Sequence, residues 1–391
     1  MKRSTDRVLT THTGSLPRPD DLADLLVRRA KGEPVDEAAF QERVREATED
    51  VVARQVELGV DVVSDGEAGK AHFIDYVSGR LTGFSPAPPM PEEEDSVKFS
   101  FFDDLEEFPD IVKATYSDTV FTNIVCTGEV GYSGQDDVRI DIEHFQAALA
   151  KRPATEAFMP AVSPGCVAQS LPNQHYASYE DYVMAVAQAM NAEYKAITDA
   201  GLLVQLDAPD LGTVGNLQTW TRPEVERRGG RWLQDLHVEA VNVGLEGISP
   251  EQVRLHICWA NYQGPHTHDM PLRDALEPAL AADVAAISFE AANPAHAHEW
   301  ELFEDFDLPD GKVIVPGVID TKTQVVEHPR LIAQRIVQYA RLVGQENVIP
   351  GNDCGFGTAV GAPMVHPKIA WMKLEALAQG AAMATEELAP A

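Results

Sequence analysis

His256 and Cys258 stand two residues apart in "RLHICWANYQGPHTHD", at the end of an apolar run. Alternate residues of a strand point to one face, so an imidazole and a thiol share a side there. Glu290 in "AISFEAANP" and Cys354 in "VIPGNDCGFGT" each close another apolar run. Zinc accepts Cys sulfur, His nitrogen and carboxylate oxygen, most often as a tetrahedron. An HxC pair alone is a weak signal, because buried Cys and His are ordinary core residues. Four such residues at the ends of three strands predict a single Zn2+ site made by His256, Cys258, Glu290 and Cys354. Two thiolates and a carboxylate leave that centre with a net negative charge. It is then a poor source of hydroxide, yet it binds an incoming thiol and removes its proton. The expected chemistry is attack by sulfur on an electrophilic carbon, with the glutamate as the ligand most readily exchanged for substrate. Cys126 and Cys166 lack comparable company and read as structural.

The elements that must position these residues recur as an apolar run, a turn and an amphipathic helix. "RVLTTHTGS", "VDVVSDGE", "LLVQLDAPD", "QVRLHICWA", "VAAISFEAA", "KVIVPGVIDT" and "NVIPGNDCG" read as strands. Helices are expected at "DEAAFQERVREATEDVVARQVELG", ending on Gly59, and at "SYEDYVMAVAQAMNAEYKAITDAG", capped by Ser178 and stopped at Gly201. Further helices are expected at "GRWLQDLHVEAVNVGLEG", "PLRDALEPALAA", "PRLIAQRIVQYARLVG" and "HPKIAWMKLEALAQGAAMA". Strands alternating with helices imply a parallel sheet, and near-continuous apolar strands imply burial on both faces. Glu67, Asp207, Cys258, Glu290, Asp320 and Cys354 all fall at C-terminal strand ends, the functional end of a (β/α)8 barrel. A single α/β domain of that TIM-barrel class over residues 1–391 is therefore expected; an open doubly wound sheet is the alternative. One surplus strand, within "TVFTNIVCTGEVGYSG", is assigned to an added hairpin. The Pro-rich, acidic stretch around residues 84–118 reads as an insertion.

Lys and Arg total 31 against 62 Asp and Glu, a formal net charge of −31. Nucleic acid and anionic membrane, which require a basic face, are poor partners for such a chain. No run of roughly 18 apolar residues is present, so no membrane-spanning helix is expected. The N-terminus "MKRSTDRVLTTHTGSLPRPDD" lacks the apolar core of a secretory signal, and four cysteines make no disulfide framework. A cytoplasmic protein with reduced thiols is the simplest expectation. No GxGxxG or GxxxxGK[ST] motif points to a nucleotide.

Taken together, "HTGSLPRP", "SDGEAGK", "VQLDAPD", "HIC", "FEAANP" and "PGNDCG" resemble the catalytic barrel of the cobalamin-independent methionine synthase family. The resemblance covers nearly the whole chain. It implies a (β/α)8 barrel related to uroporphyrinogen decarboxylase, Zn2+ on His256, Cys258, Glu290 and Cys354, and methyl transfer to homocysteine. It further implies that Gly14 and Ser15 meet the substrate carboxylate and that Glu67 and Asp207 meet its ammonium group, pairings that charge complementarity favours. The chain has no room for the second, N-terminal barrel of the longer synthases, and so looks like the shorter paralogues. In "GVIDTKT" Asp320 is retained, but Lys322 stands where the family carries a histidine. Val162 precedes Ser163 where the family has a folate-stacking tryptophan, and Ala208 replaces the glutamate of "DEPA". The thiol half is kept while the folate half is altered. Asp320 and Lys322 are assigned to departure of the leaving group. A corrinoid protein is a further candidate methyl donor.

Short relatives of this resemblance include epoxyalkane:coenzyme M transferases, which open an epoxide with a zinc-activated thiol. That is the alternative function; a metal-free decarboxylase and a non-enzymatic thiol or metal carrier are the remaining readings. Glu67 and Asp207 favour an amino-acid thiol, whereas Lys322 favours an anion or an acid. His266 and His268 read as surface-loop histidines, and His296 and His298 as the start of a helix. Lys70 reads as solvated, and Arg18 either as an aid to an acidic substrate group or as an exposed arginine. Trp259 and Tyr262 either wall the cleft or pack in the core.

Overall fold

The computed structural model describes residues 1–87, 104, 107–111, 124–214, 221–361 and 364–389. Seven strands form one parallel sheet in the order β1, β4, β5, β6, β7, β8, β9. They are β1 (Val62–Ser64), β4 (Glu156–Val162), β5 (Leu203–Asp207), β6 (Val253–His256), β7 (Ala286–Phe289), β8 (Val313–Ile319) and β9 (Gly351–Asn352). Every residue of β5, β6, β7 and β8 is buried, as strands covered on both faces require.

The chain near its start closes this sheet. Thr11 donates its N–H to the Pro350 carbonyl at 3.0 Å, next to β9, while the Thr10 carbonyl accepts from Val62 at 2.9 Å in β1. "RVLTTHTGS" thus serves as the eighth stave, although it is an extended segment rather than a regular strand. Arg254 of β6 confirms the closure from inside: its guanidinium donates to Thr11 Oγ1 at 2.9 Å and to the His12 carbonyl at 2.8 Å. The fold is the expected TIM barrel.

One stave escaped the sequence reading. Strand β4 contains Pro160, which interrupts the apolar run and removes a ladder donor, and proline normally argues against a central strand. Here the β1–β4 register ends at Phe158, so the ladder on that side stops before Pro160. The surplus strand is a hairpin arm, as expected: β3 (Ile124–Tyr132) pairs antiparallel with β2 (Leu81–Pro86). Of the insertion around 84–118, residues 88–103, 105–106 and 112–118 lie outside the described residues. Asp104 is described, and its carboxylate accepts from Tyr262 Oη at 2.6 Å and from the Thr267 N–H at 3.2 Å.

Helix caps follow local chemistry. Ser178 Oγ accepts from the Asp181 N–H at 3.0 Å ahead of the helix Tyr179–Asp199. Gly59, at φ 86°, ends the helix Glu37–Leu58 in the left-handed region that glycine tolerates. Helices pack on the barrel through Val52, Phe145, Val186, Leu233, Ile336 and Leu374, all fully buried. Each such side chain contributes roughly 1.5–3 kcal/mol of burial. Among the described residues, no helix is long and apolar enough to cross a membrane.

Candidate metal centre

His256 is the last residue of β6 and Cys258 lies two positions beyond it; Cys354 lies two positions beyond β9. One ligand atom from each of these three residues falls within 4.8 Å of the others, and all three residues are buried. Ser288, on neighbouring β7, places Oγ 3.2 Å from His256 Nδ1. Nε2 of His256 is buried and has no hydrogen-bond partner among the described residues. Burial, with Arg254 adding to it, lowers the His256 pKa to about 3, so the ring is neutral and offers a lone pair. The Cys354 thiol is pushed well above its ordinary value, first by its hydrogen bond with Cys258 and then by burial. A buried, unpartnered nitrogen beside two thiols is a costly arrangement for a protein to keep without a ligand. One imidazole and two sulfurs are a donor set for a borderline-soft divalent cation, so the residues fit a metal ion.

Glu290 follows β7 directly, is fully buried, and is already engaged. Its Oε1 accepts from the Trp259 N–H at 3.0 Å; its Oε2 accepts from Asn293 Nδ2 and from Lys322 Nζ, each at 2.7 Å. The structure therefore brings three of the four expected ligands together and pairs the fourth with Lys322. Burial works against the Lys322 ammonium, but the facing Glu290 carboxylate holds its pKa above the usual lysine value. Asp320 follows β8, and its Oδ1 accepts from the Lys322 N–H at 2.8 Å. Asp320 thus shapes the turn that carries Lys322, while its own N–H donates to Glu327 Oε1 at 2.8 Å.

Around the barrel mouth, Glu67 sits at φ 54°, a strained setting for a residue with a Cβ. Arg18 holds it there, donating to the Glu67 carbonyl at 2.8 Å and to the Gly357 carbonyl at 2.6 Å. Lys70 donates to Glu67 Oε1 at 3.2 Å and to the Pro160 carbonyl at 2.6 Å. The readings of Lys70 as solvated and Arg18 as exposed are corrected: Lys70 is buried and Arg18 half-buried, because backbone carbonyls at strand ends need donors. Asp207 accepts from Gln205 Nε2 at 2.7 Å. Burial, then the charge of Glu67, pushes its pKa well above the ordinary carboxylate range. Glu67 acts on Asp207 through its charge, and the Lys70 ammonium is the cation that faces Glu67. Gly14, at φ 139°, has no room for a Cβ, which would stand 2.5 Å from Pro160 Cγ. Its N–H donates to His12 Nδ1 at 3.2 Å, and Ser15 Oγ accepts from the Gly357 N–H at 3.3 Å.

Sequence reasoning missed Asp353, Arg254 and the loop residues that frame the centre. Asp353 accepts from the N–H groups of Ala291, Ala292 and Asn293, each at 2.8 Å, and burial raises its pKa to about 6. Its signal was a carboxylate directly before Cys354. Arg254, two positions before His256 on the same strand, was the other available sign, a charge inside an apolar strand. His266 is also corrected from a surface residue: Asp269 Oδ2 pairs with His266 Nδ1 at 2.7 Å and with His296 Nε2 at 3.0 Å. His296 in turn stacks on Trp259, with ring centroids 4.0 Å apart. His298, as expected, stands at the start of a short helix, Glu299–Glu304.

A family described as the cobalamin-independent synthase catalytic domain matches residues 8–88 and 130–376. The chain belongs to this family. A methionine synthase of Saccharolobus islandicus (strain L.S.2.15) is 24% identical over 382 residues, covering 97% of this chain and 95% of its own. That of Thermococcus kodakarensis is 23% identical over 393 residues, covering 97% and 94%. Among solved structures, a B12-independent methionine synthase from Shewanella sp. W3-18-1, in complex with selenomethionine, has a TM-score of 0.68 at 21% identity, covering 98% of this chain and 99% of that one. A protein from Listeria monocytogenes described as a putative vitamin-B12 independent methionine synthase gives 0.62 at 17% identity, covering 96% and 98%. These likenesses support the barrel.

Proposed function

We propose that this chain is a zinc-dependent S-methyltransferase that methylates a small thiol, with homocysteine as the acceptor. The observation that carries the reading is the unpartnered His256 Nε2 beside the thiols of Cys258 and Cys354. Membership of a synthase family and relatives named methionine synthase support the methyl-transfer half. Zn2+, when bound, takes up a thiol and lowers its pKa so that sulfur is a nucleophile near neutral pH.

His256, Cys258 and Cys354 would hold the ion. Ser288 fixes the His256 ring through Nδ1, which aims Nε2 at the centre. Asp207 and Glu67 receive the ammonium of an amino-acid thiol, a role that favours their both being ionised once it is bound. The Ser15 end of the first stave receives its carboxylate. Gly14 contributes shape rather than a donor, because its N–H is already used by His12. Trp259, Tyr262 and their histidine partners wall the mouth and keep water from the sulfur.

The test is a screen of zinc-loaded protein with homocysteine and coenzyme M against methyl-folates, a methylated corrinoid protein and short epoxides. Methionine formed from homocysteine and a methyl donor is the expected result. Epoxide opening by coenzyme M, with no turnover of homocysteine, would replace this reading with the alkyltransferase alternative.

A further inference from the structure

We infer that Lys322 is a positioning residue that keeps Glu290 off the metal, leaving three protein ligands and an open fourth place for the substrate sulfur. The inference rests on the zinc reading above and departs from the four-ligand set expected from the sequence.

Glu290 is held from every side. Its two oxygens accept from a backbone N–H, a side-chain amide and an ammonium, at 3.0, 2.7 and 2.7 Å. The backbone that follows it is pinned as well, since Asp353 takes three successive N–H groups from Ala291 to Asn293. Asn293 itself is shared between the two carboxylates, reaching Asp353 Oδ2 at 3.1 Å. Moving Glu290 to the metal would strip a carboxylate from Lys322, which is only 8% exposed. Among the described residues, the Lys322 ammonium bonds to Glu290 alone. An uncompensated buried ammonium is strongly unfavourable, so the pair resists being split. Asp320 adds to this by fixing the Lys322 backbone, so the ammonium is delivered to Glu290 from a rigid turn.

With Glu290 withheld, His256, Cys258 and Cys354 would be the three protein ligands, the number characteristic of catalytic zinc, and a substrate thiol would not need to displace a carboxylate. Replacing Lys322 by an uncharged side chain would free the carboxylate to become a fourth ligand and block that position.

The experiment compares the parent with Glu290→Gln, Lys322→Met, the double variant and Cys258→Ser. Two readouts are used: the absorption bands of the Co2+-substituted proteins and Zn2+ affinity by chelator competition. The Glu290→Gln bands should match the parent's. Lys322→Met should shift the bands and tighten Zn2+ by about tenfold, the scale of changes at groups surrounding a metal site. Both changes should vanish in the double variant, a reversal that a purely structural role for Lys322 would not produce. Bands that shift in Glu290→Gln, or Lys322→Met bands and affinity identical to the parent's, overturn the inference. If Cys258→Ser still abolishes metal binding in that case, the zinc reading stands without it. A parent protein that binds neither Zn2+ nor Co2+ sinks both.

Discussion

Two buried polar clusters lie beside the barrel, and they differ in how completely their groups are paired. Under the hairpin, Glu193 accepts from Tyr76 Oη and Tyr132 Oη, each at 2.7 Å, and faces Arg80 Nη1 at 3.1 Å. Arg80 also bonds Asp141, and its guanidinium lies over the Tyr76 ring. Burial alone would raise the Glu193 pKa, yet Arg80 brings it below the ordinary value. Every charge there has a partner, which is the signature of a scaffold. At the barrel mouth the opposite holds. His256 Nε2 has no partner among the described residues, two thiols share one small space, and burial and the charge of Glu67 push the Asp207 pKa well above the ordinary carboxylate range. Folding alone does not reward that arrangement, so it points to ligands. The contrast separates a site from a support more sharply than burial does, because Glu193 and Arg80 are buried just as His256 and the two cysteines are.

The contrast can be broken in either direction. Loss of a sulfur ligand should have the largest effect: Cys258→Ser or Cys354→Ser should remove bound Zn2+ and lower kcat/KM by about a thousandfold or more, ~4 kcal/mol. Elemental analysis and steady-state kinetics check it, and thermal unfolding of the metal-free proteins should move little. In the scaffold cluster the reverse is expected. Arg80→Met leaves Glu193 without its cation and should reduce stability by about 3–5 kcal/mol in urea unfolding, with Zn2+ content unchanged. If Arg80→Met instead spared stability and emptied the metal centre, the two clusters would not be separable.

A finer effect is expected at Asp207, proposed above to receive an ammonium group. Asp207→Asn should raise KM for homocysteine roughly tenfold, ~1.4 kcal/mol, with a smaller change in kcat. The same variant should leave KM for coenzyme M, which has no amino group, untouched.

His12, in the stave that closes the barrel, supplies a pH test. Its Nε2 faces Gln55 Oε1 at 2.7 Å while its Nδ1 accepts from Gly14, and burial lowers its pKa to about 3. The folded-state value lies below the unfolded one, so the unfolded chain takes up a proton first as pH falls. Stability conferred by the neutral ring is therefore complete above about 6.5 and is lost as pH drops from there toward about 3. In His12→Gln the slope of stability against pH over that interval should be shallower by one proton, about 1.4 kcal/mol per pH unit. Urea unfolding at stepped pH measures it; equal slopes would show that the ring titrates normally.

Much of this was legible without coordinates. The alternation of apolar runs and amphipathic helices announced the barrel, and residues at strand ends announced its functional face. His256 and Cys258 were legible because period-two spacing puts both on one side of a strand. Strand β4 was hidden by Pro160, whose lost N–H falls where pairing with β1 has already ended. Lys70 and Arg18 misled because charge suggests solvent, whereas unpaired carbonyls at strand ends drew both inward.

Residue type and spacing along the chain are local properties, and they were enough to name the fold class, the family and the thiols and imidazole that the barrel brings together. Pairing across the barrel is not local. Whether Glu290 turns to the metal centre or to Lys322 depends on where the ends of β7 and β8 bring two side chains 32 positions apart. Only the closed barrel settles that competition, because it alone sets which charges share a dry space and so which must neutralise each other.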